Sequence, residues 1–137
     1  MTDPLRDSFE IAGKVLAHLV KDGLLKEKLN ANDVINGYVD EDSDEAYRMR
    51  DLFCSVVEWL ISEGLIAGER SGYYDFQGLQ LTSKGIVALQ SPQFDSANSK
   101  SATSVIAADE KGLSGDTYAK IGNFVGGFVG SFTKTVT

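Results

Sequence analysis

Between Gly64 and Thr82 the apolar residues of this chain change their spacing, and that change restricts the folds open to it. Before Gly64 they recur at helical steps. Leu5, Phe9, Ala12, Leu16 and Leu19 fall three or four residues apart, as do Met49, Phe53, Val56 or Val57, and Leu60. Each set makes one apolar stripe on a helix. After Gly64 the period shortens. Leu65-Ile66-Ala67 and Leu79-Gln80-Leu81 read as strands, joined through the Gly- and Tyr-rich stretch from Gly68 to Tyr74. That pattern predicts a β-hairpin with a long tip.

Local signals mark the element ends. Gly23 suits the position just past the first helix, with Lys21 in its last turn. Asn30-Ala31-Asn32-Asp33 predicts an N-cap and a brief second helix through Val34 and Ile35, closed by Gly37. The acidic run from Asp40 to Glu45 opens the longest helix, with Asp42 as N-cap and Glu45 completing a capping box. Trp59 lies on the flank of that helix and Gly64 ends it. Thr82 caps a last short helix carrying Ile86, Val87 and Leu89, and Pro92 closes the domain.

Asp40, Asp42, Asp44 and Asp51 also occupy positions one, three, five and twelve of an EF-hand-like loop. Glu45, however, stands where that loop needs glycine for its sharp turn, and Asp51 is one methylene shorter than the usual bidentate Glu. Acidic groups at the positive end of a helix dipole are favourable without a metal. The run is therefore expected to start a helix, and no metal or cofactor is expected.

The order helix, short helix, long helix, hairpin, helix is that of a winged helix. Trp59-Leu60-Ile61-Ser62-Glu63-Gly64-Leu65-Ile66 looks like the end of a recognition helix entering its first wing strand. Leu81-Thr82-Ser83-Lys84-Gly85-Ile86-Val87-Ala88-Leu89 resembles the L-T-x-K-G-x-x-x-L phrase that follows the wing in many bacterial winged-helix proteins. The resemblance covers residues 5–90. It implies an α+β, mostly helical domain whose long helix enters the DNA major groove and whose wing lies near the phosphate backbone. Tyr47, Arg48, Arg50 and Arg70 would make those contacts.

Charge opposes that function. The chain of 137 residues has a net charge of −7, and all of it belongs to residues 1–90, with nine Lys/Arg against sixteen Asp/Glu. Duplex affinity comes largely from Lys and Arg neutralising phosphates and releasing counterions. A protein partner, or a second copy of the chain, is the favoured contact and nucleic acid the alternative.

Catalysis has little to stand on. The single histidine, His18, reads as a helix-flank residue at the domain edge. Cys54, the only cysteine, follows Phe53 in the long helix with no second histidine elsewhere to activate it. No nucleophile elbow or phosphate-binding loop is present. One cysteine also excludes a disulfide scaffold and suits a reducing, cytoplasmic setting. No catalytic residue is expected.

Beyond residue 90 the chain is neutral, and Ser91 to Ser104 holds five serines and one large apolar residue, Phe94. Residues 91–117 read as a flexible linker. Residues 118–137 then form a Gly/Phe-rich amphipathic helix. Ile121, Phe124, Val125, Phe128, Val129 and Phe132 share one face, and Gly122, Gly126 and Gly130 form a stripe beside it. Four glycines within 122–130 cost about 4 kcal/mol of helix propensity relative to alanine, so something must cover the apolar side. The candidate covers are the chain's own domain, another copy (hence a homo-oligomer) or a partner protein, and a membrane surface. The apolar stretch is too short to span a bilayer. The expectation is a non-enzymatic interaction or adaptor protein, with this helix as its association element.

Overall fold

The computed structural model describes residues 3–35, 42–108 and 112–136, and side chains up to Gly127. The chain runs α1 (Pro4–Lys21), β1 (Glu27–Asn30), α2 (Ala31–Val34), α3 (Asp44–Ser62), β2 (Ile66–Arg70), β3 (Asp75–Leu81) and α4 (Ser83–Gln90). A 3-10 turn (Pro92–Phe94), α5 (Ala102–Ala108) and α6 (Gly115–Val136) follow. The strands form one antiparallel sheet in the order β1-β3-β2. The fold is thus α+β and mostly helical.

The caps explain most boundaries. Asp3 accepts from the Arg6 amide at the start of α1, and Pro4 occupies the first turn, where its missing N–H costs nothing. Gly23 follows α1 at φ +65°, a left-handed conformation that favours glycine. Asn30 and Asp33 form a reciprocal capping box around α2. Thr82 caps α4 by accepting from the Gly85 amide at 3.1 Å. The cap of α3 differs from expectation by one residue: Ser43, not Asp42, accepts from the Ala46 amide. The shorter hydroxyl side chain reaches the third amide from an extended backbone, and Asp44 and Glu45 then lie in the first turn. The expected positions of Gly37, Asp40 and Glu41 lie outside the described residues.

Three elements were not expected. β1 begins inside the stretch Leu24 to Leu29, pairs Leu29 with Phe76 on β3 and buries Leu29 completely. The stretch expected as linker carries the 3-10 turn and α5, and Ala102 and Ile106 of α5 are buried in the core. Thr103 fastens α5 to α4 by donating to the Leu89 carbonyl at 3.1 Å. The serines of this segment face outward or cap its turns, so a polar composition conceals a short buried stripe.

The core lies between α1, α3, the sheet and α6. Phe53 of α3 meets Phe76 of β3 edge to face, with centroids 5.9 Å apart. Leu16, Leu19, Leu60, Leu65, Leu79 and Leu89 close around them, each fully buried, and each such side chain contributes roughly 1.5–3 kcal/mol. Leu5, at the start of the α1 stripe, is instead 69% exposed. A β-bulge at Gly68 adjusts the hairpin: its φ is +145°, and a Cβ there would press on Leu79.

α1 and α6 make the most extensive helix–helix contact. It depends on two glycines. A Cβ on Gly13 would run into the Tyr118 carbonyl, and one on Gly122 into the Phe9 carbonyl, so only glycine lets the backbones approach this closely. No helix among the described residues is long and apolar enough to cross a membrane.

Candidate interaction surface

One face of α3 turns away from the core. Asp44, Tyr47, Asp51, Ser55 and Glu58 are exposed at three- and four-residue steps, so they form one stripe along the helix. The hairpin tip stands beside it. Tyr73 is 75% exposed and meets Tyr74 edge to face, with centroids 4.6 Å apart. The Arg50 guanidinium lies 5.2 Å over the Tyr47 ring and 5.9 Å over the Tyr74 ring, which joins helix and tip into one aromatic patch. Asn32 of α2 borders it, accepting from Arg50 at 3.5 Å. Burial and the nearby Asp51 charge push the Tyr74 phenol above its ordinary range, so it stays neutral.

The three arginines proposed for duplex contact do not act together. Arg48 points toward α1, where it pairs with Asp7 and with Glu45, both at 3.4 Å. Arg50 is stacked between two tyrosines. Arg70 pairs with Glu58 at 3.0 Å and donates to the carbonyls of Gly72 and Tyr73. Each cation is therefore already engaged within its own chain, while Asp44 and Asp51 face solvent on the exposed stripe.

The stripe expected to mediate association is largely spent within the fold as far as it is described. Ile121 and Val125 are fully buried. Gly122 lies on Phe9, and Gly126 lies on the Trp59 ring. Phe124 meets Phe94 edge to face at 5.5 Å between centroids. The side chains of Phe128, Val129 and Phe132, and Gly130 beside them, lie outside the described ones. Near this contact, between α1 and α3, is an open apolar cavity of about 300 Å³ lined by Leu5, Phe9, Leu52, Val56 and Trp59.

The two residues weighed for catalysis sit apart. Cys54 is buried and donates weakly to the Tyr73 carbonyl at 3.6 Å, and burial pushes its thiol up, away from the reactive thiolate. His18 stands at the far end of α1, 3.9 Å from Glu27 of β1. Sequence spacing gives no sign of that proximity, because it depends on how the chain turns after Gly23. The Tyr73–Tyr74 tip was visible only as part of a turn-rich stretch. Comparison with family models, with curated proteins and with solved structures finds no match.

Proposed function

We propose that this chain is a non-enzymatic interaction protein built on a winged-helix domain, and that the exposed face of α3 with the hairpin tip binds a basic segment of another protein. The winged-helix assignment is supported by the order α1-β1-α2-α3-β2-β3, with a hairpin directly after the long helix and all three strands in one antiparallel sheet. The observation that carries the functional reading is the ion pairing of Arg48 and Arg70 and the stacking of Arg50 on two tyrosines, beside solvent-facing Asp44 and Asp51. A phosphate backbone approaching this face would meet carboxylates before it met a free cation. A Lys/Arg-rich segment would find charge complementarity, with Tyr47 and Tyr73 as rigid aromatic anchors of the kind that dominate interface energetics. We place the chain in the cytoplasm as part of the same reading, on the scarcity of cysteine in its sequence.

The test is fluorescence anisotropy with a labelled Lys/Arg-rich peptide and, separately, a labelled duplex, both at about 50 mM salt. The peptide should bind and the duplex should not. Tyr47→Ala should weaken the peptide complex by about tenfold or more. Duplex binding that is lost on Arg50→Ala would overturn the reading in favour of a DNA-binding regulator.

A further inference from the structure

The end of α1 and the start of β1 bring together three metal-ligating groups. His18 lies in the last turn of α1, Asp22 caps that helix, and Glu27 opens β1. One nitrogen or oxygen from each lies within 4.8 Å of the other two, and His18 Nε2 is 3.9 Å from Glu27 Oε2. The second observation concerns Glu27 alone. Its Oε2 atom is sealed from solvent and accepts no hydrogen bond. A buried carboxylate oxygen without a donor is costly to leave uncompensated. The surroundings do not relieve it: Asp22 is a second carboxylate, and the C-terminal end of a helix carries partial negative charge. The nearby Lys14 is held by Glu10 at 3.0 Å. The described ion pairs give Glu27 no Lys or Arg partner, only the His18 imidazole at 3.9 Å.

We propose that His18, Asp22 and Glu27 bind a divalent transition-metal ion of the zinc class through one imidazole nitrogen and two carboxylate oxygens. Ligand atoms about 2.1 Å from a tetrahedral zinc stand about 3.4 Å apart, so the pair at 3.9 Å needs only a small closure. The exposed side chains of His18 and Asp22 rotate to supply it, while the mostly buried Glu27 stays in place. The donor set selects the metal. An imidazole suits zinc and its neighbours, whereas calcium and magnesium take shells of oxygen. Three protein ligands leave a fourth position for water. Bound metal would tie α1 to the edge strand β1 across the turn at Gly23, so binding would be coupled to stability.

The full chain without an affinity tag, at pH 8, would be titrated with Zn²⁺ by calorimetry and melted with and without the ion. One ion per chain should bind, the melting temperature should rise, and the ring resonances of His18, the single histidine, should move. Glu27→Gln and His18→Ala should each weaken binding by about tenfold or more. Asp22→Asn provides a third variant at an exposed position if either of those fails to fold. Cys54→Ser should leave binding unchanged. Absence of stoichiometric binding would refute the site. So would variants that bind like the wild type, or a His18 signal that stays still.

Discussion

Glu27 holds a carboxylate oxygen sealed from solvent, and the penalty of ionising it has a measurable sign. Burial, with the Asp22 carboxylate beside it, raises its pKa from an ordinary 4.5 to about 7. The folded chain therefore keeps a proton that the unfolded chain releases, and between these values the native state binds more protons. With chelator present, stability should fall as pH rises from about 4.5 to 7, and the full penalty should persist above 7. Glu27→Gln should remove that dependence and gain of order 1 kcal/mol at pH 8 in a urea titration. A variant less stable than the wild type at pH 8 would contradict this account of the buried oxygen. Cys54 gives a second residue-level prediction. Buried and pushed up, it should react with iodoacetamide far more slowly in the native chain than in urea, and equal rates would contradict its placement.

Among the elements, α6 shows how local propensity yields to packing. Alanine favours a helix over glycine by about 1 kcal/mol, yet Gly122 faces the Phe9 carbonyl with no room for a Cβ. Gly122→Ala should therefore destabilise the chain by roughly 1–3 kcal/mol, the range for overpacking. Gly127 has nothing within 4 Å, so Gly127→Ala should be neutral or stabilising. Urea unfolding of the two variants separates close packing from propensity, and equal shifts would contradict the α1–α6 contact. The same scale shows what could be read in advance. Asn30, Thr82, Gly23 and Gly64 act through atoms within a few residues, so their caps and stops were legible. β1 was not: four residues become a strand only because Leu29 pairs with Phe76 far along the chain. α5 was hidden because Ala102 and Ile106, its only buried residues, lie among serines.

Over the whole molecule, the segment after residue 90 completes the core that α1, α3 and the sheet begin. Ile106, Ile121 and Val125 belong to the same cluster as Phe53 and Leu16. The apolar face of the last helix, a candidate docking element when considered alone, is thus covered by its own chain along its described part. That shifts attention to the α3 face, where Tyr47, Arg50, Tyr73 and Tyr74 meet. The sequence marked Tyr47 and Arg50 as outward-facing, but their stacking with the hairpin tip depends on how the tip folds back over α3. The arginine pairings with Asp7 and Glu58 likewise follow from tertiary placement.

A map of amide shifts, by two-dimensional NMR of the full chain as an unlabelled Lys/Arg-rich peptide is added, tests whether the α3 face is the contact surface. Perturbations should concentrate at Tyr47, Asp51, Tyr73 and Tyr74 and fade as salt is raised. Shifts confined to α1 and α6, or none at all, would contradict the α3 face as the contact surface.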